Sequence, residues 1–172
     1  MNEATMQAIL MRYAMEEKHH EIAIPNITEI YRWEADVLSV TRAFLTHEFE
    51  IKVSKADYLA DRKKKRKHEW LAAPPLTDYW GAPKAHTPNY FWFATSGFEI
   101  DNLPPYAGWL VITPDKSRRY GYSLKIRKDA PKLHQLKLED KARLNLSRWL
   151  SYKLKNMYQA AYLSGATAKV EL

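Results

Sequence analysis

The sequence of 172 residues contains no cysteine and only five glycines. The lack of cysteine excludes disulfides, thiolate metal sites and cysteine nucleophiles, and it is typical of a protein in a reducing compartment. No apolar run approaches the ~20 residues needed to span a bilayer, and the start "MNEATMQAIL" lacks the basic region and apolar core of a signal peptide. No glycine-rich phosphate loop, Ser-His-Asp pattern or zinc-ligand spacing is found. These absences predict a cytoplasmic protein without membrane association.

Cationic residues, in contrast, are abundant and clustered. Lys and Arg outnumber Asp and Glu by 27 to 20, which gives a formal net charge of +7. Hydrophobic residues make up 46% of the chain, so the composition is that of a folded protein, and the length fits one domain over residues 1–172. Six consecutive cationic residues stand in "DRKKKRKH" (61–68). Such a run predicts a polyanionic partner, although a solvated helix face would contain the same residues.

The spacing of apolar positions and of turn residues predicts three helices and five strands. The helices are predicted at 3–18, 54–71 and 138–163, the second N-capped by Ser54 and the third C-capped at Ser164-Gly165, and the strands at 33–40, 45–53, 89–95, 108–114 and 121–128. An extended stretch interrupted by Pro25-Asn26 precedes the first strand, and 72–88 is predicted as a long loop. This order predicts an α/β sandwich around a mixed central sheet.

The stretch "EFEIKVSKAD" (48–57) places unusual charges on a strand. Glu48, Glu50 and Lys52 alternate with apolar residues, so one face carries two acids and a lysine. The preceding strand, "WEADVLSV", contributes Asp36, and the short link between the strands predicts antiparallel pairing. We therefore expect Asp36 and Glu50 to project from the same face of the sheet.

Two carboxylates on neighbouring strands provide the oxygen ligands that Mg²⁺ prefers, completed by waters and substrate phosphates. Lys52 would reach the same pocket, where its charge can stabilise a phosphorane-like transition state beside a metal-bound water. The residues thus predict Asp36, Glu50 and Lys52 as catalytic, with Asp36 and Glu50 as metal ligands. A half-buried strand with a solvated polar face is the alternative. Glu34 and Glu48 have weaker claims, because a surface position would explain each equally well.

The motif "EAD" (34–36), a short hairpin and "EIK" (50–52), with a helix before and after, resemble the PD-(D/E)XK nuclease superfamily. Its signature is an acid on one core strand and an acid–any–lysine triplet on the next, although Ala35 stands here before Asp36 and the proline of the name is absent. More closely, "EADVLSVT…EFEIKVSKADYLADRKKKRKH", "YAGWLVI" and "APKLH" resemble the small phage and bacterial DNA-repair proteins similar to MmcB.

The resemblance implies a restriction-endonuclease-like fold, with an αβββαβ core, added strands and a C-terminal helix. It implies a Mg²⁺-dependent deoxyribonuclease, with Mn²⁺ as a substitute metal, that acts in DNA repair, recombination or phage DNA processing in a bacterial or phage-infected cell. In this scheme the Ile51 carbonyl joins the metal ligands, and Lys52 orients or activates water. DNA rather than RNA as the partner rests on the resemblance.

The basic run would lie beside this site on the helix that leaves the catalytic strand. Lys63, Lys64, Arg66 and Lys67 are therefore predicted to bind the nucleic-acid backbone. The apolar residues of the last helix predict core or homodimer contacts. Two other classes of function stay open: a catalytically silent nucleic-acid-binding protein that retains the nuclease fold, and a protein-interaction module.

Overall fold

A computed structural model describes residues 1–28 and 30–163. The chain divides into two compact units, Met1–Leu138 and a second that begins at Glu139. No helix of these described ranges is both long and apolar enough to cross a membrane. The elements are α1 (Glu3–Arg12), a π-helical turn (Tyr13–Glu17), β1 (Ile22–Ile27), β2 (Ala35–Val40), β3 (Thr46–Lys52), α2 (Lys55–Asp61), α3 (Lys65–Ala72), β4 (Tyr90–Ser96), β5 (Ala107–Pro114), β6 (Tyr122–Lys128) and α4 (Asp140–Leu163).

The first unit is built on a six-stranded sheet with the order β1-β2-β3-β4-β5-β6. β2 runs antiparallel to β1 and to β3, whereas β3–β4 and β4–β5 are parallel and β6 is antiparallel to β5. The sheet is therefore mixed and flanked by helices, and the predicted α/β class is confirmed.

The two edges of the sheet differ in chemistry. β1 contains Pro25 and Asn26, whose φ of 48° lies in the left-handed region. A strand at an edge tolerates both, because an edge leaves backbone groups without a ladder partner. β6, at the other edge, is largely exposed and carries Lys125, Arg127 and Lys128.

Strand residues alternate between two cores, one on each face of the sheet. Val37, Phe49 and Ile51 point to one face, where they pack with Met6 and Leu10 of α1. On the opposite face, Tyr58 of α2 and Leu71 of α3 pack with aromatic residues of β4, namely Phe91 and Phe93. Helices thus cover both faces, and the face under α2 and α3 is the one that receives the charged residues of β3.

The prediction of one continuous helix over 54–71 is wrong, because the helix is interrupted after α2. Ser54 does cap the N-terminus, accepting a 3.1 Å bond from the Asp57 backbone N–H. At the other end, Lys64 N–H donates to the Asp61 carbonyl at 2.8 Å, an i→i+3 turn, and α3 restarts at Lys65. No glycine or proline marks the break.

Of the two other predicted helices, one ends differently in the structure and the other agrees with it to within two residues. The helix predicted over 3–18 ends in the π-helical turn, where Lys18 N–H donates to the Tyr13 carbonyl at 3.0 Å. The second unit contains α4, whose 24 residues agree with the helix predicted at 138–163. The predicted C-cap at Ser164-Gly165 lies outside the described residues.

Candidate active site

The structure brings Asp36 and Glu50 together on one face of adjacent strands. In the β2–β3 ladder Val37 opposes Phe49, so the preceding residue Asp36 lies beside Glu50. Asp36 Oδ2 accepts a 2.7 Å hydrogen bond from the Ile51 backbone N–H, which ties this carboxylate to β3. Val37 and Phe49 pack under α1, so the two acids face α2 and α3 on the opposite side of the sheet. The alternation had predicted that the acids share one face.

Glu50 lies in a buried network of charges between the sheet and the two helices. Its Oε1 is 2.8 Å from Lys52 Nζ, and its Oε2 is 2.5 Å from Lys67 Nζ. Lys67 Nζ also lies 2.9 Å from Glu48 Oε1, and Lys52 Nζ lies 3.5 Å from Asp61 Oδ1. We call Glu48, Glu50, Lys52, Asp61 and Lys67 the charge cluster; none of the five is more than 6% exposed.

The charges of this cluster are close to balance. Three carboxylates face the two buried ammonium groups, and Lys64 supplies a third from the rim, 2.8 Å from Asp61 Oδ1 and 3.6 Å from Glu50 Oε1. Burial alone would raise the pKa of Asp61, yet the nearby His68, Lys64 and Lys52 keep it well below its usual range. The cluster therefore holds its ion pairs without an added cation.

Lys67 is not on the exposed helix face where a phosphate-binding residue was predicted. The side chain is buried, and its ammonium lies 5.1 Å from the Phe91 ring centroid as well as against Glu48 and Glu50. Burial would lower the pKa of Lys67, but the two carboxylates outweigh it and raise this pKa above the ordinary value. Lys67 is thus an internal counter-ion, whereas the other residues predicted to bind the backbone, Lys63, Lys64 and Arg66, are exposed.

Glu48 is fully buried, although a surface position would have explained its place in the sequence equally well. Trp33 Nε1 donates hydrogen bonds to both of its carboxylate oxygens, at 2.9 and 3.1 Å. Burial raises the pKa of Glu48, and the nearby Lys67 opposes this rise. Sequence reasoning missed this role; the signal that pointed to it is the position of Glu48 on the same strand face as Glu50.

Asp36 and Glu50 line a shared cleft of about 490 Å³, whose walls are Arg32, Trp33, Glu34, Asp36, Glu50, Lys64, Arg66, Lys67 and Trp70. Burial and then the charge of Glu50 raise the pKa of Asp36 to about 7, against the opposing effects of the Ile51 N–H and of two lysines. A divalent cation between the two acids would relieve this repulsion.

Within residues 1–28 and 30–163 no group of three acidic or histidine side chains is placed to hold a metal ion. Two carboxylates suffice for Mg²⁺, because this ion keeps several water ligands and binds phosphate oxygens. A bound Mg²⁺ would compete with the Lys67 ammonium for the Glu50 carboxylate.

The cleft also contains a cation–aromatic group that sequence reasoning did not find. The Cζ atoms of Arg32 and Arg66 lie 5.5 and 5.0 Å from the Trp70 ring centroid. Guanidinium groups bind phosphates in a bidentate manner and stack on aromatic rings. Arg32 was missed because it stands apart from the basic run, which begins about 30 positions later in the sequence.

The raised pKa of Asp36 predicts a pH-dependent stability in EDTA. A carboxyl group whose folded pKa is raised contributes stability below its unfolded pKa, and this contribution is lost as pH rises through about 7. The melting temperature of the wild type should therefore fall more between pH 5 and pH 8 than that of Asp36→Asn, as circular dichroism melts would measure. Mg²⁺ at pH 8 should restore the wild type but not the variant, and parallel pH profiles of the two proteins would contradict the assignment.

Comparisons with known proteins identify no function. No family model and no curated protein matches the sequence. Among solved structures, the SPO1766 protein of unknown function from Silicibacter pomeroyi is similar, with a TM-score of 0.56 and 20% identity over 94% of this chain and 92% of that one. At this identity the likeness concerns the fold alone.

Proposed function

We propose that the protein is a Mg²⁺-dependent nuclease that hydrolyses phosphodiester bonds in DNA. The observation that carries the proposal is the position of Asp36 beside Glu50 in a cleft, with Lys52 bonded to Glu50 at 2.8 Å. The order α1, β1 to β3, α2 and α3, then β4, is that of the restriction-endonuclease-like core implied by the PD-(D/E)XK resemblance, with its second helix split in two. This agreement supports assigning the core to that fold.

Each residue has a distinct role in this proposal. Bound Mg²⁺ supplies Lewis-acid polarisation of a phosphoryl oxygen and lowers the pKa of a coordinated water. Asp36 and Glu50 would hold the ion. The resemblance adds the carbonyl of Ile51, the residue whose N–H donates to Asp36 Oδ2. Lys52, predicted to reach the same pocket, is instead buried against Glu50 and Asp61 and does not line the cleft. In this proposal it therefore positions the Glu50 carboxylate and adds positive charge behind the metal-binding acids.

A cleavage assay tests the proposal directly. Purified protein is incubated with end-labelled duplex, single-stranded and branched DNA in Mg²⁺, in Mn²⁺ and in EDTA. We expect cleavage with either metal and none in EDTA, because the carboxylates alone cannot generate a nucleophile at neutral pH. Absence of cleavage with both metals, on all three substrates, would contradict the nuclease proposal.

A second candidate is a nucleic-acid-binding protein that keeps this fold and does not cut. Lys52 and Lys67 neutralise Glu50 within the protein, so the charge balance of the cluster needs no metal. The exposed arginines of the cleft, Arg32 and Arg66, would still bind phosphates. Retained DNA binding without metal-dependent cleavage would favour this candidate.

Both candidates predict that the exposed arginines of the cleft bind the DNA backbone. The double variant Arg32→Gln/Arg66→Gln should weaken binding about equally for unrelated duplex sequences. The slope of log K against log salt should flatten by about 0.9 for each phosphate that the variant no longer neutralises, as fluorescence anisotropy titrations between low and moderate salt would show. Lys65→Gln is the matched control, since Lys65 is exposed on α3 but does not line the cleft. An unchanged slope in the double variant would show that this cleft does not hold the backbone.

A further inference from the structure

The segment 76–84, which we call the aromatic hairpin, presents two aromatic side chains to solvent. Tyr79 is 92% exposed and Trp80 is 86% exposed, the highest values among the exposed large hydrophobic residues of the described ranges. Their rings contact each other edge to face, with centroids 5.1 Å apart. A tryptophan and a tyrosine exposed side by side are typical of a binding site rather than of a surface that contacts only solvent.

The backbone of the hairpin that carries these side chains is held by its own hydrogen bonds. Asp78 N–H donates to the Ala82 carbonyl at 2.8 Å, and Gly81 N–H donates to the Asp78 carbonyl at 3.1 Å. Asp78 Oδ1 also accepts from the Trp80 and Ala82 N–H groups, each at 2.9 Å. Gly81, with φ at +79°, supplies the left-handed residue of this three-residue hairpin turn. The backbone that carries the two rings is therefore ordered before any partner binds.

The base of the aromatic hairpin is linked to the wall of the candidate active site through His86. His86 Nε2 lies 3.2 Å from the Thr77 carbonyl oxygen, and the His86 ring packs edge to face on Trp70, with centroids 5.9 Å apart. Trp70 lines the cleft and carries the guanidinium groups of Arg32 and Arg66 over its ring. The exposed rings thus stand on an element anchored to the cationic wall of the cleft.

An aromatic tip beside a cationic cleft fits a polyanion that has exposed aromatic faces. Single-stranded DNA has this chemistry, because its bases are free to stack on aromatic side chains while its phosphates follow a basic groove. In a duplex the bases are stacked on each other, and exposing one costs a few kcal/mol. The cleft charges therefore argue for a nucleic acid as the partner rather than for a partner with an apolar surface. The exposed rings argue that this nucleic acid has unpaired bases.

We propose that Tyr79 and Trp80 stack on unpaired bases of a strand whose phosphates lie along Arg32 and Arg66. The substrate class is then DNA with a single-stranded segment, such as a fork or an overhang, and not blunt duplex. This inference rests on the proposed function, since it concerns the strand that enters the candidate active site.

The test is a set of anisotropy titrations in EDTA, so that binding is measured without cleavage. The probes are one labelled strand alone, the same strand in a blunt duplex, and the same strand in a forked duplex. We expect the wild type to bind the single strand and the fork more tightly than the blunt duplex. Tyr79→Ala/Trp80→Ala should lose about fivefold or more in affinity for the single strand and the fork, with the blunt duplex changed less than about twofold.

Three controls separate stacking from other effects. Trp80→Phe retains an aromatic face and should keep most of the affinity for the single strand. Tyr162→Ala removes a side chain that is 83% exposed on α4 and should leave all three affinities unchanged. Thermal melts should show that the double variant is folded, because both replaced side chains are exposed. Phosphatidylcholine vesicles are a fourth probe, to which we expect no binding.

The outcomes distinguish this inference from the proposed function. The stacking role is overturned if the double variant binds the single strand as the wild type does, or if it loses affinity equally for all three probes. The nuclease proposal is still upheld in that case if the wild type shows metal-dependent cleavage. Vesicle binding that is lost with Trp80 overturns it in favour of a lipid-binding role. A wild type that binds none of the DNA probes in EDTA overturns the stacking role, and the nuclease proposal falls with it only if cleavage in Mg²⁺ and Mn²⁺ is absent as well.

Discussion

Lys67→Met is expected to destabilise the protein by about 3–5 kcal/mol, the cost of removing one partner from a buried ion pair. Methionine fills similar space but leaves Glu48 and Glu50 facing each other in the interior, where Lys67 lies 2.9 and 2.5 Å from them. Urea unfolding at pH 7, followed by circular dichroism, would measure this loss. The matched control is Lys65→Met on the same helix, where the side chain is exposed and a change within about 0.5 kcal/mol is expected.

The pH dependence of this variant identifies the cause of the loss. Burial already raises the pKa of Glu48, and without Lys67 that pKa rises further. A carboxyl group with a raised folded pKa contributes stability at low pH that is lost as pH rises, so Lys67→Met should recover relative to the wild type on acidification from pH 8 to pH 5. Equal stability of the two proteins at pH 7 would show that Lys67 is not the counter-ion of these acids.

Asp36→Asn is expected to reduce metal-dependent cleavage by about 10³-fold, because a metal ligand supports several kcal/mol of transition-state stabilisation. The asparagine oxygen can still accept the Ile51 N–H bond, so the fold should be unchanged. Asp36 is a better site for this test than Glu50, whose carboxylate also pairs with two buried lysines. Initial rates on the preferred DNA substrate, at saturating Mg²⁺, are the measurement.

Glu34→Gln provides the matched control for the active-site variant. Glu34 is an exposed acid in the same cleft, two residues before Asp36, so it tests whether any negative charge in the cleft has the same effect. We expect its cleavage rate to stay within about threefold of the wild type, as for other surface substitutions. Cleavage by Asp36→Asn at a rate similar to that of Glu34→Gln would exclude Asp36 as a metal ligand.

The pairing of Asp36 with Glu50 could be predicted from sequence because it depends on strand geometry. Side chains alternate along a strand, and a short connection fixes antiparallel pairing, so two acids at known positions are assigned to a face by counting. The same counting placed Phe49 and Ile51 in the opposite core, where the structure has them. The candidate metal ligands are thus consequences of local periodicity.

The burial of Lys67 could not be predicted in the same way. A lysine within six consecutive cations is expected in solvent, since lysine is rarely buried unless it is paired. The direction of the Lys67 side chain depends on the turn between α2 and α3, because this turn determines which residues of α3 face the sheet. No glycine or proline marks the turn in the sequence. The partner that draws it inward, Glu48, belongs to another element and is 19 residues earlier in the sequence. Such a contact is tertiary and leaves no local pattern.

The aromatic hairpin, by contrast, has a local signature that the loop prediction overlooked. "DYWG" (78–81) places an aspartate at the first position of a turn and a glycine at the last, the residues favoured at these positions of a type I turn. The surrounding prolines indicated an irregular loop and outweighed this signal. Turn chemistry therefore identifies the hairpin, whereas its anchoring through His86 on Trp70 could be found only in the folded chain.

The chemistry of the two sheet edges affects the tendency of newly synthesised chains to aggregate at high concentration. An edge strand with free backbone groups is a template on which a second chain can add a strand, the first step of ordered aggregation. Pro25 removes a donor from β1 and the left-handed Asn26 disturbs its pleat. On β6, Lys125, Arg127 and Lys128 would repel the same strand of another copy. Both edges therefore act against self-templating, and mutations that make them regular and uncharged would favour fibrils without altering the cleft.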